Sequence, residues 1–353
     1  MDCVVKRSFD YGHTWTKSSL VYPNAEHQAM GTPTTILDPT TNTIFLFLSP
    51  QNGGRDAHDG RRVMLLNSTD GGQSWSEPRN MTAVLVPDDW DNVWMGTQQG
   101  IVVPLPDEDN TKMDLGRSST SSGQRQRLIM CANHHGRDSN GAHTVYSDDH
   151  GLTWQNGVTL SHPASLGECG LTHTVDNQGQ SVVTMYSRVV YDDASISKPR
   201  RSLAFSRDYG HSFVSFANAT HNFPGNPGAD AQGSFVEFNG TFLVASPWGQ
   251  VSPANPGRHN FTVLMSQSAD GKPTTWTAVP GADPLTPAAI EAEYSTMMVV
   301  DQAPPTNRTG TGIESRTSTV FVLYERGNLY GMEPGQPNSS LRLTQLPFPT
   351  PTV

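Results

Sequence analysis

Apolar residues in this chain fall in short runs separated by polar turn residues. Thr43-Ile44-Phe45-Leu46-Phe47-Leu48 is the clearest run and reads as a core strand. Met64-Leu65-Leu66, His143-Thr144-Val145-Tyr146 and Ser202-Leu203-Ala204-Phe205 read as further strands. No stretch of about ten residues or more has the i, i+3, i+4 spacing of an amphipathic helix. The pattern predicts an all-β chain of many short strands, and the even spread of 32 Gly and 26 Pro agrees with frequent turns. Mean hydropathy is only -0.47, yet the apolar runs supply a core, so the chain is globular. None of them approaches the length of a membrane span.

Three of these strands run into one recurring motif, Ser-x-Asp-x-Gly-x-(Thr/Ser)-aromatic. The four copies are Ser8–Trp15, Ser68–Trp75, Ser147–Trp154 and Ser206–Phe213, and a looser fifth runs from Ser268 through Asp270 and Gly271 to Trp276. The Asp carboxylate accepts bonds from backbone N–H groups just ahead of it, and the Gly tolerates positive φ, so each copy is a turn. The closing aromatic ring pins that turn to its own unit. The copies recur roughly every 60 to 80 residues, the scale of one supersecondary unit. Five marked units and an unmarked final stretch predict a six-bladed β-propeller, with residues 1–353 forming a single domain.

Composition narrows the function. A net charge of -10 argues against nucleic acid or an anionic membrane surface as partner. Cys3, Cys131 and Cys169 are odd in number, lack metal or disulfide spacing, and read as small buried apolar residues. Seven N-x-(S/T) sequons, at Asn67, Asn80, Asn218, Asn239, Asn260, Asn307 and Asn338, exceed chance and favour a secreted or lysosomal protein. Adjacent residues of a strand face opposite ways, so His134-His135 cannot chelate one ion there. A metal-dependent hydrolase is therefore disfavoured, and no cofactor is implied.

Ionisable and phenolic groups stand at the mouths of several apolar strands. Glu168 lies in Gly167–Leu171 and Arg188 in Thr184–Val189. Arg258 opens Gly257–Leu264, Tyr294 lies in Glu293–Val300, and Glu325 follows Phe321–Tyr324. The boxes resemble the Asp boxes of the sialidase (neuraminidase) superfamily, and the order of these residues is similar to that of its exo-α-sialidases. Trp94-Met95-Gly96-Thr97-Gln98-Gln99-Gly100-Ile101 resembles a glycine-containing segment of that family, with Gln98 and Gln99 where a Gly-rich run is usual. The similarity extends from Asp2 to about Leu346.

That resemblance implies a six-bladed propeller acting on sialylated glycans by a retaining mechanism. It makes Tyr294 the nucleophile and Glu168 the carboxylate that takes its proton. Arg188 and Arg258 grip the substrate carboxylate, Glu325 orients a further arginine, and Trp94 lines the pocket. The family's first arginine and its acid/base Asp precede the segment that Asp2–Arg7 resembles. The expectation is an N-terminally truncated chain with an incomplete first blade and weak activity or folding. The competing expectation is a non-catalytic Asp-box propeller that binds glycans or proteins. The segments Asp107–Gln124 and Asp301–Thr317 read as surface insertions.

Overall fold

A computed structural model describes residues 2–23, 29–51, 62–106, 125–136, 140–160, 162, 164–190, 201–215, 232–248, 260–281, 294–302, 317–327 and 339–346. Among these, strand dominates. The chain opens with a ribbon of β1 (Cys3–Val5) and β2 (Ser19–Tyr22). The first sheet is β3 (Ala29–Asp38), β4 (Thr43–Gln51), β5 (Met64–Ser68) and β6 (Arg79–Asn80), paired in that order. A single helical turn, α1 (Thr82–Leu85), leads to the second sheet. There β7 (Trp90–Met95), β9 (Gln126–Gly136), β10 (Asn140–Ser147) and β11 (Gln155–Asn156) lie in order, and β8 (Ile101–Pro104) also pairs with β9.

The third sheet runs β12 (Ser165–Val175), β13 (Ser181–Val190), β14 (Arg201–Ser206) and β15 (Val214–Ser215). In the fourth, β16 (Ser234–Phe238), β17 (Thr241–Pro247) and β18 (Phe261–Ala269) are followed by β19 (Lys272–Pro273) and β20 (Thr277–Ala278), both on β18. The fifth is β21 (Ser295–Gln302), β22 (Thr317–Gly327) and β23 (Ser339–Gln345). Apart from β8, which adds to β9, and β20, which adds to β18, the strands of each sheet follow one another in chain order, which is the order within a propeller blade. Against the six blades expected, the described residues build five blade-sized sheets and the β1–β2 ribbon. The predicted strands all form. The insertion 107–124 and most of Asp301–Thr317 lie outside the described residues.

Burial explains the hydropathy pattern. Phe45, Leu46, Phe47 and Leu48 of β4 are all buried, because an inner strand is covered on both faces and needs no polar alternation. The edge strands β6, β11 and β15 are two residues each and mostly exposed, too short to recruit another strand. The chain divides into two compact units, Met1–Met185 with Leu203–Phe216, and Tyr186–Ser202 with Ala217–Val353. The first is centred on Phe47, Leu65, Val93, Met130, Val145 and Trp154, the second on Leu243, Phe261, Val263, Met297 and Val322.

Each of the four good boxes closes through the same Ser, Asp, Gly and Thr/Ser bonds, and the indole bond is added where Trp15 and Trp154 close the turn. In the third, Ser147 Oγ donates to Asp149 Oδ1 at 2.8 Å and accepts from Gly151 N at 2.8 Å. Thr153 donates to the same carboxylate through N at 2.9 Å and Oγ1 at 2.6 Å, while Trp154 Nε1 donates to the Gly151 carbonyl at 3.1 Å. Where Thr14 supplies this pair to Asp10, its hydrogen bonds pull the carboxyl down to about 2. Two box glycines also seat their turns on a neighbouring sheet. A Cβ at Gly151 (φ +83°) would enter the Phe45 ring, and one at Gly210 (φ +81°) would strike Ile129. The looser fifth copy is a different turn. Asp270 and Gly271 both have positive φ and join β18 to β19, with Ala269 opposite Lys272, as a two-residue hairpin.

Candidate active site

Glu168 stands half-buried on β12, with Gly167, Cys169, Gly170 and Leu171 buried around it. Residues two apart on a strand share a face, so Glu168 lies on the face of Gly170, and Cys169 on the other. The side chain of Gln98, itself buried, fills the space that a Cβ at Gly170 would need. Gln98 Nε2 donates to the Leu171 carbonyl at 3.3 Å. This accounts for the unusual glutamine in the Trp94–Ile101 segment: its amide braces β12 where the opposing residue is glycine.

Behind Glu168, Cys169 forms a disulfide with Cys131 of β9, with the Cα atoms 5.9 Å apart. This corrects the expectation of three buried thiols. Spacing of 38 residues carried no signal, because it is the packing of β12 beside β9 that brings the sulfurs together. Cys3 keeps its thiol, and burial pushes it up. β7 joins the same seam. Gly96 N donates to the Cys131 carbonyl at 2.6 Å, and a Cβ at Gly96 would come within 3.1 Å of the Cys169 carbonyl.

Trp94, expected to line the pocket, and Trp90 of the same strand pack on different partners. A register shift between Trp90 and Asn92 turns the start of β7 over relative to β9. Trp94 packs edge-on against His135, with ring centroids 4.9 Å apart. Trp90 instead stacks on His134 at 3.6 Å and lies 4.7 Å from His143. His134 and His143 hydrogen-bond through their Nδ1 atoms at 3.1 Å, and both Nε2 atoms are buried without a partner. Burial lowers His134 to about 4 and holds His143 well below its ordinary value. The two adjacent histidines therefore serve different aromatic partners.

In the second unit, Arg188 stands half-buried on β13 between the buried Ser187 and Val189. Tyr294, also half-buried, immediately precedes β21. The residue after it, Ser295, is held by four hydrogen bonds. Its N–H donates to Gln232 Oε1 at 3.1 Å and its carbonyl accepts from Gln232 Nε2 at 2.8 Å. Its hydroxyl meets Ser234 Oγ at 3.1 Å and the Ala245 carbonyl at 3.4 Å. Gln232 is buried, so this two-point amide clamp works without competing water.

Nearby in the same unit, Arg201 is fully buried and donates through Nη2 to Ser246 Oγ at 2.7 Å. The Tyr186 ring packs on Phe235, and burial raises its phenol. Gln232 and Arg201 escaped sequence analysis, and Ser295 entered it only as the neighbour of Tyr294. A lone Gln before a strand, or an Arg at its start, looks like a solvated edge residue until burial is known. Arg258 lies outside the described residues. Glu325 sits in β22 opposite Leu341 of β23, and its side chain is outside the described part.

The BNR repeat-like domain model matches residues 1–303. The chain belongs to the BNR-repeat family of the sialidase superfamily. It is 25% identical over 302 residues to the sialidase of Micromonospora viridifaciens, covering 74% of this chain and 42% of that protein. Human Sialidase-4 is 29% identical over 205 residues, covering 54% of this chain and 38% of its own length. The chain thus spans less than half of either relative. Among solved structures, Hadza microbial sialidase Hz136 superposes with TM-score 0.63 at 19% identity, over 92% of this chain and 57% of that one. Trypanosoma rangeli sialidase gives 0.61 at 17%, over 98% and 49%. At such identities the superpositions establish the β-propeller fold.

Proposed function

We propose that this chain is the catalytic propeller of an exo-α-sialidase, releasing terminal α-linked sialic acids from glycoproteins, glycolipids or oligosaccharides. The β1–β2 ribbon is part of an incomplete first blade of six. Tyr294 is the nucleophile and Glu168 takes its proton. Arg188 and Arg258 bind the substrate carboxylate, Glu325 orients a further arginine, and Trp94 with His135 forms an aromatic wall. The observation that carries this reading is the clamp of Gln232 on Ser295, the residue directly after Tyr294. A nucleophile at a strand mouth must hold one geometry, and four hydrogen bonds on the next residue provide it.

The chemistry follows from the substrate. A sialic acid carries its carboxylate on the anomeric carbon, so an anionic nucleophile would approach like charge. A phenol paired with a carboxylate base spreads the developing charge. Its proton passes to Glu168 and its oxygen bonds the anomeric carbon as the glycosidic C–O bond breaks. The aglycone leaves with a proton taken from solvent, and water then cleaves the glycosyl–tyrosine bond to give sialic acid and the free phenol. Guanidinium groups match a planar carboxylate with two parallel N–H bonds and stay charged at every working pH. Placed arginines act at contact distance, so the distant net charge of -10 is screened.

The disulfide and the exposed sequon residues Asn80 and Asn239 support maturation in an oxidising, secretory compartment. The deciding assay is fluorophore release from a 4-methylumbelliferyl sialoside. Whatever turnover the wild-type chain shows should fall roughly a thousandfold or more in Tyr294→Phe. Equal turnover by Tyr294→Phe refutes the mechanism. Sialoside binding without any turnover by the wild type supports a glycan-binding module instead.

A further inference from the structure

A base must keep one direction, and the backbone that carries Glu168 sets that direction first. β12 is gripped at this point from both faces. On the Glu168 face, Gln98 fills the space opposite Gly170 and bonds the Leu171 carbonyl. On the other face, the residue directly after Glu168 is covalently joined to Cys131 of β9. Both half-cystines are at most 2% exposed. Gly96 closes the seam: its N–H bonds the Cys131 carbonyl, and it lacks the Cβ that would collide with the Cys131 and Cys169 carbonyls.

We infer that the Cys131–Cys169 disulfide is a positioning element for Glu168, holding β12 against β9 so that the carboxylate keeps one direction. The inference rests on the role proposed for Glu168, and it goes beyond it in giving two cysteines outside the site a measurable part in turnover. One covalent link adjacent to the base does what a hydrogen bond alone would not, because backbone bonds at a sheet mouth open locally more often than the sheet melts. Misplacing a catalytic group by about 1 Å can cost on the order of a hundredfold in rate. A brace used only for stability would change the folded fraction and leave the rate per folded molecule alone.

The test compares the wild type with the Cys131→Ala/Cys169→Ala double variant well below the melting temperature of both. Thiol counting by mass spectrometry first fixes the oxidation state, with one free thiol expected in the native chain. The expected result is a fall in kcat of roughly 10- to 100-fold with KM within about twofold, and a displaced pH–rate profile. Faster hydrogen exchange is expected in the peptide carrying Glu168, with β10 unchanged. Should the double variant not fold, the wild type reduced by a water-soluble phosphine and then reoxidised gives the same comparison reversibly.

An unchanged kcat and pH profile per folded molecule, unchanged exchange around Glu168, or three free thiols in the native protein each overturn the inference. Exchange is read whether or not the chain hydrolyses sialosides. An inactive wild type with an intact bridge therefore counts against the proposed function, while the exchange comparison still decides whether the bridge holds β12.

Discussion

Acid should loosen the second sheet before it touches the boxes, and the reason is the buried pair His134 and His143. Both rings are out of water, they share one Nδ1 hydrogen bond, and Trp90 stacks on His134 at 3.6 Å. His135 adds a like charge beside His134, whereas Asp89 favours its protonation and offsets part of the effect. The folded value of His134 is about 4 against 6.5 in the open chain. Because the folded value is lowered, the stability it contributes is complete above about pH 6.5 and is lost as pH falls toward 4. Linkage across that interval gives a loss of about 2 kcal/mol between pH 8 and pH 5, and His143 acts in the same direction. For a unit of this size that lowers Tm by about 4–8 °C. Differential scanning fluorimetry at a series of pH values measures it. The His134→Leu/His143→Leu variant removes both partners together, so no polar atom is orphaned, and its Tm should fall clearly less over this range, with His135 and His173, also lowered by burial, supplying the slope that remains. Parallel pH slopes for wild type and variant would refute the reasoning.

The boxes titrate lower: hydrogen bonds from Thr14 hold Asp10 at about 2, so their share of stability persists to about pH 4 and is lost below it. A second transition confined to that acid range, seen by circular dichroism, checks this. Asp149→Ala removes the acceptor for Ser147 and Thr153 and should cost about 2–4 kcal/mol in urea unfolding. Gly151→Ala forces a Cβ into the Phe45 ring at positive φ and should cost about 3 kcal/mol or more, read as a lowered urea midpoint. Gln232→Ala orphans both backbone groups of Ser295 and should lower kcat on a sialoside roughly 10-fold or more, whereas Gln232→Glu, which keeps one acceptor, should retain more. Breaking the Cys131–Cys169 bridge releases a 38-residue loop in the unfolded chain and should cost roughly 4 kcal/mol by the loop-entropy relation, read as the difference in urea stability.

The strands and the four good turns were legible because each is a local matter. Phe45 to Leu48 announces a strand covered on both faces, and a Ser-x-Asp-x-Gly-x-Thr box supplies its own donors and acceptors within a few residues. The fifth copy, read as a looser one, is a turn as expected but closes as a hairpin. Its Asp270-Gly271 satisfies a hairpin as well as a box, and only the register of Ala269 opposite Lys272 separates the two.

Chain order placed Glu168, Arg188 and Tyr294 at strand mouths, and the structure finds each of them half-buried on or beside its strand. What the sequence by itself determined is the all-β class, the repeat and the residue types offered for chemistry, since turns and hydropathy alternation act between near neighbours. What only the tertiary structure decided is which distant residues support them. Cys131 meets Cys169, Gln98 fills the space of Gly170, Gln232 clamps the residue after Tyr294, and a bulge sends Trp90 and Trp94 to different histidines. Those pairings depend on packing between strands dozens of residues apart, and no local pattern encodes such distances.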